Sequence, residues 1–228
     1  MPKTYIIGVF DSGIGGLSVA NAIEQALPEQ TIIFKNDRSH VPYGNRSPQE
    51  IYRLIKPIFQ SFVDEGCDVV VVACNTVSTT LITDLRANFA LPMVAMEPMV
   101  KPAAQLSNSK IIAVCATPTT LGSERYTELK RQYAANVKVI EPNCSDWTQL
   151  IENNELHHQR IEKDLQPALN AGADVIVLGC THYHWIEQDI VKMTKGQATV
   201  LQPEAAVISQ LKRVLSRLPE TERLDLYS

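Results

Sequence analysis

The stretches GCDVVVVACNT at 66–76 and GADVIVLGCTH at 172–182 align without a gap, sharing glycine, aspartate, two valines and cysteine. A second pair, IIGVFDSG at 6–13 and IIAVCATP at 111–118, repeats at nearly the same displacement, 105 residues against 106 (6 to 111, 66 to 172). A period this long marks a duplicated domain rather than a short-repeat solenoid. The β-branched runs at 5–10, 68–73, 110–115 and 174–179 are short, continuous and apolar, as strands covered on both faces are. Each is followed by a helix-like stretch, so the chain reads as α/β: two pseudo-symmetric α/β domains with mainly parallel sheets.

Ligands of open α/β sheets bind beyond the carboxyl ends of the strands. Asp11, Cys74, Thr117 and Cys180 all fall at such ends. If the halves face one another, Cys74 and Cys180 approach a shared interdomain cleft from opposite sides. Two opposed thiols suit inversion of a stereocentre, in which one sulfur takes a weakly acidic α-proton and the other returns a proton to the opposite face. Asn75 and Thr76 follow the first cysteine, Thr181 and His182 the second. Asp11 and His182 are the candidate proton partners.

The loop DSGIGGLS at 11–18 precedes a helix expected at about 17–27 and offers backbone N–H groups to a carboxylate. It is not a dinucleotide fingerprint, because the third glycine of GxGxxG would fall on Ser18, and no Gly-Lys-Ser/Thr follows for a P-loop. Nor does Asp11 suit an aspartyl phosphotransferase of the haloacid dehalogenase type, since Gly13 stands where the second aspartate is required. A Cys-His hydrolase would use one thiol and leave the other unexplained.

With 228 residues, 45% hydrophobic and 20% charged, the composition is that of a globular protein, and a net charge of -4 gives no broad attraction to nucleic acid. No apolar run reaches the ~18 residues of a membrane span, and the first residues lack a secretory signal pattern. The chain is therefore expected to be a mature cytoplasmic protein without membrane partners. Its five cysteines, at 67, 74, 115, 144 and 180, are odd in number and lack CxxC spacing, so reduced thiols are expected. Cys67, Cys115 and Cys144 are read as packing residues. Cys180, His182 and His184 form a C-x-H-x-H cluster that does not define a tetrahedral metal site, and His157-His158 reads as a solvated helix face.

Taken together, VFDSGIGGLSV at 9–19, VPYG at 41–44, ACNT at 73–76, EP at 97–98 and LGCTHY at 178–183 resemble the glutamate racemase family, part of the aspartate/glutamate racemase superfamily. The motifs occur in the family's order and span nearly the whole chain. The resemblance implies interconversion of L- and D-glutamate without cofactor or metal, supplying D-glutamate for peptidoglycan. It assigns proton transfer to Cys74 and Cys180, assistance to Asp11 and His182, and an additional acidic role to Glu152. Substrate binding is implied for Asp11, Ser12, Pro42, Tyr43, Gly44, Asn75, Thr76, Thr117 or Thr120, Thr181 and His182, and a homodimer is a possible assembly.

Thr119 stands where the family usually has glycine, His184 where proline commonly follows Cys-Thr-His-Tyr, and Gln202-Pro203-Glu204 replaces a Ser-Gly-type segment. These departures keep an aspartate or broader-specificity racemase, and a ligand-binding paralogue without turnover, as alternatives. Residues 1–97 with 204–228 are expected to form the first domain and 98–203 the second. A C-terminal helix is expected at 205–218, and the two crossings between domains predict a hinge that opens and closes the cleft.

Overall fold

The computed structural model describes residues 4–218, so the outermost parts of the expected first domain, 1–3 and 219–228, lie outside the described residues. Two parallel four-stranded sheets are formed. The first contains β1 (Ile6–Asp11), β2 (Thr31–Asn36), β3 (Val69–Val72) and β4 (Met93–Ala95) in the order β2-β1-β3-β4. The second contains β5 (Ile111–Ala116), β6 (Lys138–Ile140), β7 (Val175–Gly179) and β8 (Thr199–Leu201) in the order β6-β5-β7-β8. The order is the same in both sheets, and β3 and β7 are the strands of the 66–76 and 172–182 repeat. Each sheet reverses its winding direction between its two central strands, so the connections leaving their carboxyl ends part and leave a crevice there.

The helices are α1 (Gly16–Ala26), α2 (Pro48–Asp64), α3 (Asn75–Asn88), α4 (Val100–Leu106), α5 (Pro118–Leu121), α6 (Glu124–Tyr133), α7 (Trp147–Glu152), α8 (His158–Asn170), α9 (Glu187–Thr194) and α10 (Glu204–Leu215). Local chemistry sets several starts. Ser47 accepts from the Glu50 N–H ahead of Pro48, and Thr117 accepts from the Thr120 N–H ahead of Pro118. In α2, Ile51, Ile55, Phe59 and Phe62 recur at helical spacing and are fully buried.

Alternation along β3 divides the first core. Val70 and Val72 pack against α2 and α3, while Val69 and Val71 face α1 and α10. Val207, Leu211 and Leu215 of α10 share that second cluster with Val19 and Ile23, so the chain returns to the first sheet after building the second. In the second sheet, Ile176 and Leu178 meet α8 and α9, whereas Val175 and Val177 meet α4 and α6. On these contacts we assign 98–203 to a second lobe, with the crossings at 97–98 and 202–204. No helix among the described residues is long and apolar enough to cross a membrane.

Candidate active site

Cys74 precedes the first turn of α3, and Cys180 follows β7 at the start of a 3-10 turn, Thr181–Ile186. Both sulfurs line one small chamber between the lobes with Ser12, Tyr43, Gly44, Asn75, Thr76, Thr117, Thr148, Thr181 and His182. The chamber is walled by the carboxyl ends of both sheets, as the repeat demands.

On the first side, the Cys74 thiol donates to Ser12 Oγ at 3.5 Å. Burial, then the Asp11 charge, push this thiol up to about 12, against opposing hydrogen bonds from Ser12 and the Val77 N–H; the charge of Cys180 adds to the rise. Cys74 is therefore a thiol at neutral pH. Asp11 is fully buried, and burial raises its carboxyl despite His182 and the donors around it. Its Oδ2 accepts from the N–H groups of Gly13 and Gly16 at 3.1 and 3.0 Å, and its Oδ1 accepts from the Thr181 hydroxyl at 3.0 Å. Asp11 thus shapes the 11–16 loop and ties it to the second lobe, instead of opening onto the chamber.

On the second side, Cys180 Sγ lies 3.7 Å from Thr148 Oγ1 and 3.9 Å from His182 Nδ1. The other imidazole nitrogen, Nε2, is 2.7 Å from Glu152 Oε1. Burial opposes a charged imidazole, but the hydrogen bonds to Cys180 and Glu152 and the charges of Cys180 and Asp11 outweigh it, raising His182 to about 10. Glu152 moves the other way: its hydrogen bond with His182 holds it below the usual carboxylate range despite burial. The result is a cation beside Cys180, anchored by a carboxylate.

These groups reach one another because Gly13 and Gly15 put no side chains between them. A Cβ on Gly13 would stand 2.7 Å from Glu152 Oε1, and one on Gly15 would stand 2.6 Å from the His182 backbone nitrogen. The Gly44 backbone likewise rests on Thr117, whose Cβ would lie 2.6 Å from an added Cβ. Thr76 Oγ1 meets Thr117 Oγ1 at 3.0 Å, and Thr119 donates to the Gly44 carbonyl at 2.6 Å, closing the lobes together.

Asn75 is 2% exposed, and both side-chain polar atoms are buried without a hydrogen-bond partner. Such an amide is costly unless something in the chamber pairs with it. It sits at the N-terminus of α3, where backbone N–H groups and the helix dipole favour an anion. The chamber volume is only about 10 Å³, roughly the space one water needs. A groove of about 670 Å³ between the lobes, lined by Arg46, Thr83, Thr119 and Arg125 among others, contains neither cysteine. The smaller space is the candidate reaction chamber, because both cysteines and the unpaired amide line it.

Of the residues singled out from sequence, Asp11, Pro42, Thr120 and Glu152 do not line the chamber. Asp11 and Glu152 stand behind those that do, and Thr120 hydrogen-bonds to Thr117 at 3.0 Å, so Thr117 is the wall residue of that pair. Sequence reasoning did not name Thr148 or Arg38. Thr148 precedes Glu152 by one helical turn on α7, a spacing that would have found it. Arg38, whose Nε is 3.6 Å from Glu152 Oε2, lies on a short 3-10 turn without a distinctive pattern. His182 and His184 point to different partners, Glu152 and Glu204, and no group of three metal-ligating side chains occurs among the described residues.

Residues 7–211 match the family described as Asp/Glu/Hydantoin racemase. The chain is similar to glutamate racemase of Pseudomonas syringae pv. tomato, 39% identical over 216 residues covering 92% of this chain and 78% of that one. It is also similar to the crystal structure of Escherichia coli glutamate racemase in complex with L-glutamate and the activator UDP-MurNAc-Ala. That match has a TM-score of 0.88 and 28% identity, over 98% of this chain and 87% of the other. The Francisella tularensis glutamate racemase structure with D-glutamate matches with a TM-score of 0.80 and 26% identity, over 96% and 84% of the two chains.

Proposed function

The chain belongs to the Asp/Glu/hydantoin racemase family, and from that premise we propose that it interconverts L- and D-glutamate by passing protons through two cysteines on opposite sides of the α-carbon. The observation that carries this reading is the pair of sulfurs, Cys74 and Cys180, lining one closed chamber. The similar curated proteins are glutamate racemases, which favours glutamate over the aspartate and non-catalytic readings. The product, D-glutamate, serves peptidoglycan synthesis.

In this mechanism the buried Cys74 thiol is the proton donor, and Cys180, with Sγ 3.9 Å from His182 Nδ1, is assigned the part of the base. Cys180 takes the α-proton to become a thiol, and the electron pair released from the C–H bond spreads into the substrate carboxylate. Cys74 then gives its proton to the opposite face and is left as a thiolate. The product is the mirror image, and the two sulfurs have exchanged protonation states, ready for the reverse reaction.

The α3 N-terminus and the Asn75 amide are suited to the α-carboxylate and ammonium, and the hydroxyls of Ser12, Thr76, Thr117 and Thr181 supply further polar contacts. Tyr43 and Gly44 close the first-lobe wall. His182 steadies charge at Cys180, with Glu152 holding its ring. We place its action in the cytoplasm, and sedimentation velocity tests the homodimer that the family resemblance suggests.

The direct test is to incubate each glutamate enantiomer with wild type, Cys74→Ala and Cys180→Ala in deuterium oxide. Wild type should invert both. Each variant should lose inversion while still exchanging the α-proton of the one enantiomer that faces its remaining thiol. Undiminished inversion by either variant refutes the two-thiol assignment.

A further inference from the structure

The turn that carries Thr181 and His182 also carries His184, an imidazole that the proton transfers do not use. Its side chain is 3% exposed, and Nδ1 lies 3.2 Å from Glu204 Oε1 at the start of α10. The same nitrogen lies 3.2 Å from Ser18 Oγ on α1. A carboxylate only accepts, so the hydrogen belongs to Nδ1. Ser18 accepts from it too, with its own hydrogen shared between the Gly15 carbonyl at 3.1 Å and the Glu204 carboxylate.

The departures from the family pattern at 184 and at 202–204 therefore meet in the fold. Gln202 strengthens the connection, since its Nε2 donates to Glu187 Oε2 at 3.0 Å, and Glu187 is the first residue of α9, directly after the turn. The second crossing between the lobes is gripped at both Gln202 and Glu204. At its other end the turn is held by the Thr181 bond to Asp11 at 3.0 Å. His182 thus sits between two fixed points, one on β1 and one on α1 and α10. His184 Nε2 is buried without a partner, a cost that a residue present only to fill space would not carry.

We propose that His184 is a positioning residue: by binding Ser18 and Glu204 through Nδ1, it holds the turn so that His182 keeps its contacts with Cys180 and Glu152. This rests on the racemase reading of the site. It also makes the geometry of the Cys180 side depend on the second crossing, which must move when the lobes separate. A displacement of the catalytic geometry by a fraction of an ångström is enough to slow the chemical step while leaving substrate affinity nearly intact.

The experiment compares wild type, His184→Ala, His184→Asn and Ser18→Ala. Asparagine places its side-chain NH2 where Nδ1–H stands, so it keeps the donor. The expected result is a fall in kcat of about tenfold for His184→Ala with KM changed less than about threefold, a smaller fall for Ser18→Ala, and recovery of most of the activity in His184→Asn. A titration of the 15N-labelled His182 imidazole by NMR reads the same positioning without turnover, and its midpoint should drop in His184→Ala and return in His184→Asn. Wild-type kcat and an unmoved His182 midpoint in His184→Ala overturn the proposal, as do equal losses in the alanine and asparagine variants. If His184→Ala does not fold, an unchanged kcat in Ser18→Ala overturns it equally. Failure of wild type itself to racemise refutes the racemase reading, and the NMR titration still decides whether His184 positions His182.

Discussion

Replacing Glu152 with glutamine should bring the alkaline limit of activity toward neutrality. His182 is almost wholly buried, with Nε2 2.7 Å from Glu152 Oε1, and it holds its proton up to about pH 10. Glutamine retains an oxygen that accepts from Nε2 but removes the negative charge. Glu152 accepts one of the two hydrogen bonds that keep the proton in place, and a neutral acceptor holds it less strongly than a charged one, so the midpoint should fall by about one pH unit, equivalent to ~1.4 kcal/mol. At about pH 9 the imidazolium share then drops from roughly nine-tenths to about half. The assay is kcat/KM for both enantiomers by circular dichroism from about pH 6.5 to 10.5, bracketing the unperturbed and raised imidazole values. An alkaline limb at the same pH in Glu152→Gln and wild type refutes the assignment of His182 as the cation beside Cys180. Stability has a definite sign as well. A histidine whose folded-state pKa exceeds its unfolded value contributes most below about 6.5, and that contribution fades as pH rises to about 10. Denaturant midpoints should fall over that window in wild type and fall less in Glu152→Gln.

Asn75→Leu removes the amide that has no protein partner, so it should raise KM about a hundredfold with little loss of stability, as measured by steady-state kinetics and thermal melting. A chamber of about 10 Å³ cannot admit glutamate without lobe movement, so small-angle scattering should show a larger radius of gyration without ligand than with it; identical profiles contradict the hinge. Phe59 is fully buried, with ring centroids 5.1 Å from Phe10 and 5.8 Å from Phe89. Phe59→Ala should therefore cost about 3–5 kcal/mol in urea denaturation.

Much of this arrangement was legible from the repeat. The two strands followed by cysteine, and the two followed by Asp11 and Thr117, were readable as strands because buried parallel strands are written in continuous valine and isoleucine, and they occupy the centres of the two sheets. The outer strands β2, β6 and β8 are only partly buried, and their mixed composition gives a weaker pattern. The C-terminal helix begins at Glu204, close to the expected 205, but ends at Leu215. Strand-end position predicted that Asp11 would be near the chemistry, yet not that three donors would occupy its oxygens. That outcome depends on the curl of the 11–16 loop and on Thr181 from the other lobe. Contacts between Ser18, His184 and Glu204 join segments far apart in the chain, and no local spacing encodes them.

The most direct test of the central claim is the first-turnover fate of hydrogen. L-Glutamate is incubated with wild-type protein in deuterium oxide and stopped at low conversion, and both enantiomers are separated for mass analysis. With Cys180 removing the proton on one side and Cys74 delivering from the other, D-glutamate should carry solvent deuterium at its α-carbon while the recovered L-glutamate keeps protium. D-Glutamate that retains the substrate's own α-hydrogen would mean a single group works both faces, and would contradict the two-thiol mechanism.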